Sequence, residues 1–139
     1  MEDVAYIDWF YDETFFTWYE DVDVDWRARW RGWQCLYEPG AVAHHVGGVS
    51  TNARSEFYIT TTIRNRWMMI AADECPHCRR DNRRALFAYE LGLLRYVTRA
   101  GRLAAYGSAV SQYRAQLPHI RRKRTHIRSR AQVECPLSF

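Results

Sequence analysis

The sequence predicts an α/β chain, with a mixed front of helix and strand followed by a helical, increasingly basic back. Two patterns predict the front. Between Asp21 and Arg31 acids open and arginines close a segment in which Val22, Trp26 and Trp30 recur every four residues, and Gly32 stops it. Acids at the positive end of the helix dipole and bases at the negative end favour a helix there, with the three apolar residues as its buried stripe. Residues 34–37 and 41–45 then read as short extended segments on either side of a Pro39-Gly40 turn, and Gly47-Gly48 breaks the second. Ahead of all this, Val4 to Trp18 is aromatic and irregular, with Asp12-Glu13 marking a turn or helix start.

The back is predicted by helical spacing alone. Residues 55–72 place Phe57, Thr60, Thr61, Arg64 and Met68 on related faces, and Pro76 interrupts the pattern. A long helix over 79–100 carries Leu86, Tyr89, Leu93, Tyr96 and Val97 as an apolar stripe and ends at Gly101. Another runs over 103–117 to Pro118. The basic run Arg121-Arg122-Lys123-Arg124, with Arg128 and Arg130 beyond, reads as a tail.

Composition narrows the class of protein. The chain has 139 residues, 47% of them hydrophobic and 15% aromatic, enough for one domain with a core and too apolar for disorder. No apolar run approaches the roughly 20 residues of a membrane span, and the acidic, aromatic start is the wrong flank for an export signal. The cytoplasm is the expected compartment. The net charge of +4 hides an asymmetry: residues 1–56 hold 11 acids and 4 bases, and 57–139 hold 5 acids and 16 bases. That split suggests an acidic functional half and a basic part that meets an anionic partner, nucleic acid or a phospholipid surface.

The densest chemistry is at Glu20, Asp21, Asp23 and Asp25, four carboxylates in six residues directly after Phe15-Phe16-Thr17-Trp18-Tyr19. Charges that close need an offset from a helix N-terminus, arginines, a metal or solvent, and aromatic walls raise a carboxylate's proton affinity. The cluster is therefore a helix cap or half of an active site. Asp23 is placed to cap the helix or to pair with Arg27 four residues on.

An ordered set of short motifs weighs on that choice. Asp12-Glu13 precedes Phe15-Phe16, then come Tyr19-Glu20-Asp21-Val22-Asp23, Arg27-Ala28-Arg29, Gly32-Trp33, Tyr37-x-Pro39-x-Ala41-Val42, a histidine and Gly47-Gly48. Phe57-Tyr58 and Arg64-Asn65-Arg66 follow. In order and spacing, residues of about 8 to 70 resemble the C-terminal half of a family 2 glycosyltransferase of the rhamnosyltransferase-like subgroup. The glycine usual before the Asp-Glu pair is absent from Asp8-Trp9-Phe10-Tyr11.

The resemblance implies a portion of a GT-A, Rossmann-like α/β fold and inverting transfer of a sugar from a nucleotide-sugar donor to a glycan or lipid-linked acceptor in cell-surface polysaccharide synthesis. It implies Asp21 as the base that takes the acceptor's proton, with Glu20 as the fallback. Asp12, Glu13 and Trp18 fall on the acceptor side, and Arg64 and Arg66 near the donor diphosphate. His44 or His45 would ligate a divalent metal, Mg²⁺ or Mn²⁺, whose Asp-x-Asp ligands lie outside this chain. Residues 1–72 would form the acceptor and catalytic-base half, without the donor-binding half, and 73–139 a helical basic extension. The basic tail would dock on an anionic membrane surface at the inner face of the cell membrane. Such a portion is expected to lack donor binding and to be inactive alone.

Two other readings compete. Cys75-Pro76-His77-Cys78 has the spacing of a thioredoxin-like thiol-disulfide motif, ahead of a predicted helix. As a zinc site it lacks a second pair, because Cys35 and Cys135 are isolated in sequence. The basic tail also permits a nucleic-acid-binding module. The aromatics, however, cluster with acids and not with the tail's bases, so no nucleic acid is expected.

Overall fold

A computed structural model of the chain describes residues 10–44 and 55–136. Its elements are a 3-10 turn at Glu13–Phe15 and four helices: α1, Glu20–Trp30; α2, Glu56–Asp73; α3, Pro76–Arg99; and α4, Leu103–Ser129. There is no strand among the described residues, so the α/β, Rossmann-like class is corrected to an all-helical one.

The extended segments explain the correction. A strand is stable only when its backbone groups and one side-chain face find a partner. Around the Pro39-Gly40 turn, which does form, Leu36, Tyr37 and Val42 are among the most exposed apolar side chains. The hydrogen bonds there are local, from the Ala41 amide to the Glu38 carbonyl (3.1 Å) and from the Gly40 amide to Glu38 Oε1 (2.8 Å). Residue 45, the end of the second expected strand, lies outside the described residues, as do Gly47 and Gly48.

Helix boundaries follow their caps. Ser55 accepts from the Tyr58 amide (3.1 Å) to start α2, and Cys75 Sγ accepts from the Cys78 amide (3.1 Å) to start α3, with Pro76 at its first turn. Gly32, at φ 76°, follows α1 in the left-handed conformation that glycine adopts without a Cβ clash. The expected stripe on α1 is displaced. Trp30 is buried and Trp26 half-buried, while Val22 is exposed; Asp23 and Arg27 share the inner face with Trp30.

The central helix α2 is buried on most sides and packs chiefly on α4. One core cluster joins Phe15, Trp30, Met68, Met69 and Ala72 to Ile120 and Ile127; the other joins Ile59 and Ile63 to Val97, Ala105 and Ala109. The expected stop at Pro118 fails, and α4 continues for 11 residues to Ser129. Pro118 is exposed, so its missing amide bond faces water, and the turns beyond it bury Ile120, Lys123 and Ile127. The basic run is therefore the end of a packed helix rather than a tail. Arg124 donates to the Ala71 carbonyl (2.7 Å), and Arg128 donates to the Glu74 carbonyl (2.8 Å) and stacks over Trp30. No helix among the described residues is long and apolar enough to cross a membrane.

Candidate functional site

Just before α1 the backbone does something costly. Phe16, Trp18 and Tyr19 all have positive φ (62°, 61° and 70°). For a bulky L-residue the left-handed region costs about 1–2 kcal/mol, so three in four positions persist only where their surroundings enforce them. The enforcement comes from α2. Asn65, fully buried, shares its Nδ2 hydrogens among the carbonyls of Phe15 (2.9 Å), Thr17 (2.7 Å) and Trp18 (2.9 Å). Arg64 donates to the Thr14 and Phe15 carbonyls (3.2 and 3.1 Å) and orients Asn65 through its Oδ1 (2.9 Å). Trp18 packs edge-on against Tyr58 at 4.8 Å.

The clamped loop separates the acids that look interchangeable in sequence. Asp23 is buried, accepts from Arg27 Nε (2.8 Å), and is bonded to Lys123 Nζ. Arg27 reaches on to the Phe10 carbonyl (2.6 Å). Asp12 is buried too: one oxygen caps Thr14, and the other accepts from Lys123 Nζ (2.8 Å) and meets His119 Nε2 (2.9 Å). Asp21 stays exposed on the first turn of α1, one oxygen taking the Val22 amide (2.8 Å). Glu20 is half-buried, and its Oε2 is shielded from solvent with no hydrogen-bond partner. It lines a cleft of about 650 Å³ with Tyr11, Asp12, Glu13 and Phe16.

Of the sequence candidates, the loop thus brings together Glu13 and Glu20 at the cleft, with Asp21 next in the chain. Asp12 and Trp18 brace it from inside. Arg64 is engaged in the clamp. Arg66 is paired with Glu90 and stacked over Tyr89 (4.3 Å), joining α2 to α3. Neither arginine is placed as a free diphosphate ligand. His44 is exposed in the irregular segment, and His45 lies outside the described residues. No group of three or more imidazole and carboxylate ligands forms among the described residues, and the Mg²⁺ or Mn²⁺ expectation places only His44 or His45 of this chain at the ion.

Sequence reasoning missed Asn65, Lys123 and Asp73. Burial alone would lower the Lys123 pKa, yet Asp23, Asp73 and Asp12 outweigh it and raise it. Burial likewise opposes the Asp12 charge, but His119 and Lys123 hold its carboxyl well below the usual range. Asp73 is different. Burial first, then the nearby Asp23 charge, hold its carboxyl well above the usual range, and both of its buried oxygens are without a hydrogen-bond partner.

The two shifts act oppositely on stability. The lowered Asp12 pKa contributes stability above the unfolded value near 3.8, lost as pH falls towards the folded value. The raised Asp73 pKa contributes stability below 3.8, lost as pH rises towards its folded value. Asp73→Asn keeps the size of the side chain and removes the titrating carboxyl beside the Asp23 charge. Urea midpoints should show it gaining stability over wild type as pH rises above the unfolded value near 3.8, while keeping the acid-side loss. Asn65→Ala removes the side-chain donor to the Thr17 and Trp18 carbonyls and weakens the clamp, and should cost about 1–3 kcal/mol in the same titration.

A second cluster lies at the junction of α2 and α3. Cys75 and Cys78 are joined by Cys135, whose Sγ is 2.9 Å from Cys75 and 3.0 Å from Cys78. Cys135 is thus not isolated in space, which corrects the sequence argument against a metal site. Burial and the neighbouring thiols push the Cys78 pKa up, away from the low value of a redox-active thiolate. A thioredoxin-like sheet has no counterpart among the described residues.

Comparison with known proteins found no match to the chain among protein-family models, curated proteins or solved structures.

Proposed function

We propose that this chain is the acceptor-binding, base-bearing part of an inverting sugar transferase, with Asp21 as general base and Glu20 positioning the acceptor hydroxyl. The observation that carries the reading is the left-handed loop clamped by Asn65 and Arg64. It holds a costly conformation directly ahead of two acids left out of the interior ion pairs. Strain held this firmly is characteristic of functional sites. Glu20 Oε2, shielded and unpartnered, suits a hydroxyl donor, and the exposed rings of Tyr11 and Phe16 offer apolar walls for a sugar. The ordered motif resemblance, which runs through these same residues, supplies the reaction class.

In the reaction, an acceptor oxygen forms a bond to the anomeric carbon as the bond to the nucleotide diphosphate breaks. The diphosphate leaves with that electron pair, and the acceptor's proton passes to Asp21. Aspartate suits this role because its neighbours in the cluster are already neutralised: Asp23 by Arg27 and Lys123, and Asp12 by Lys123 and His119. The reading is confined to the acceptor side. Isothermal titration tests it: the chain should take up an oligosaccharide acceptor and show no tight binding of nucleotide sugar with Mn²⁺. Tight donor binding without acceptor binding would overturn it.

The membrane contact in this reading belongs to α3. Phe87, Leu91 and Leu94 recur at i, i+4 and i+7 and are exposed, with Arg80, Arg83, Arg84, Arg95 and Arg99 along the same helix. A basic helix with an exposed apolar stripe suits the headgroup region of an anionic bilayer. Sedimentation with anionic vesicles should carry the chain down in a salt-sensitive way, and Phe87→Ser with Leu91→Ser should leave it in the supernatant. Equal sedimentation of that double variant would count against α3.

A further inference from the structure

We infer that Cys75, Cys78 and Cys135, with Cys35 as fourth ligand, form a thiolate site for a divalent thiophilic cation, zinc by its chemistry. The sulfur atoms of Cys75, Cys78 and Cys135 all lie within 4.8 Å of one another, although Cys135 is 57 residues from Cys78 in the chain. Four Zn–S bonds of about 2.3 Å set neighbouring sulfurs about 3.8 Å apart in a tetrahedron. The observed 2.9 and 3.0 Å separations from Cys135 therefore need to open by less than about 1 Å.

The protein around the cluster is arranged for thiolates. The Cys78 amide already donates to Cys75 Sγ, an N–H···S bond that orients a ligand sulfur from outside the coordination shell. Arg124 and Arg128, fixed on the Ala71 and Glu74 carbonyls at the same junction, bring positive charge near a centre that carries two net negative charges with four thiolates. The segment bearing Cys135 is held in place by the Gln132 amide on the Trp30 carbonyl (2.8 Å). Cys35 is exposed and lines a cleft of about 420 Å³ together with Cys135, Trp33 and Val133. His77 is turned elsewhere, its ring nitrogens on Asp81 (3.1 Å) and Arg80 (3.0 Å), so a cysteine is the better fourth ligand. The ion would staple three distant parts of the chain: the segment after α1, the α2–α3 junction and the end beyond α4. Binding releases the thiol protons to solvent, so affinity should rise with pH.

The test is titration of the reduced full-length chain with cobalt(II), followed by displacement with zinc. One equivalent should produce thiolate-to-cobalt charge-transfer bands and the visible bands of a tetrahedral centre, and zinc should abolish both. Cys78→Ser and Cys135→Ser should each lose the charge-transfer intensity, while Cys35→Ser should keep uptake with altered visible bands. Absence of charge transfer while the thiols remain free to a thiol reagent would overturn the site. Unchanged uptake and spectrum in Cys135→Ser would overturn it as well. A spectrum unaffected by Cys35→Ser would remove Cys35 from the ligand set.

Discussion

Replacing Asp21 with asparagine should lower kcat for sugar transfer by about 10²–10⁴-fold, the contribution of a positioned general base. The same change at Asp25 should leave it unaltered. Both residues are exposed acids on α1, so charge and helix stability are matched between the two variants. They differ in position: Asp21 directly follows Glu20, which lines the cleft, while Asp25 lies a turn further along the helix. Asparagine preserves the acceptor for the Val22 amide and removes only the ability to take a proton. The measurement is steady-state transfer to a saccharide acceptor in the proposed reaction. The loss should fall on kcat with little change in the acceptor KM, because the base acts as the bond forms. Equal effects at Asp21 and Asp25 would contradict the assignment.

The largest effect on stability is expected at Lys123. This side chain is 2% exposed, is bonded to both Asp12 and Asp23, and lies over the Phe15 ring at 4.8 Å. Lys123→Met fills the space but leaves two buried carboxylates facing each other and Asp73 without their shared cation. Breaking a buried ion pair in this way costs about 3–5 kcal/mol. The pH dependence should also change sign. In wild type the lowered Asp12 pKa means stability falls as the medium is acidified. Without the lysine, burial, the largest influence on the Asp12 carboxyl, is opposed only by His119 and Thr14, and acidification towards about pH 4 should recover stability. Urea unfolding of the variant at two pH values checks both statements. A variant that loses less than about 1 kcal/mol would mean the network is not the centre of the core.

Lys123 also shows what was legible in the sequence and what was not. It is the one lysine among 20 lysines and arginines, and that singularity was a signal. It was hidden by a run of arginines that reads as a solvated tail and by Pro118, which reads as a helix end. Only tertiary packing, with Ile120 and Ile127 buried beyond the proline, keeps α4 going. Local signals served well where the physics is local. Ser55, Gly32, Gly101 and the Asp23–Arg27 spacing located helix ends and an ion pair within a residue or two. The strands at 34–37 and 41–45 misled because a turn with flanking apolar residues describes a hairpin only if a sheet exists to receive it.

The site was half legible. The motif order singled out Glu20 and Asp21, and the structure leaves both out of the interior ion pairs. The Arg27 spacing set Asp23 apart, but Asp12 could not be separated from them, because it is neutralised by Lys123 and His119 more than 100 positions away. Asn65 appeared only as part of an Arg-Asn-Arg match. Its role depends on three carbonyls some 50 residues earlier, and no spacing rule encodes that. Cys135 was unreadable for the same reason.

The most direct test of the central claim is an NMR titration of the chain with an oligosaccharide acceptor, following each backbone amide. Perturbations concentrated on Tyr11, Glu13, Phe16, Glu20 and Asp21, and abolished by Asn65→Ala in a chain that remains folded, are the predicted result. Perturbations absent from residues 11–21, or unaffected by releasing the clamp, would contradict it.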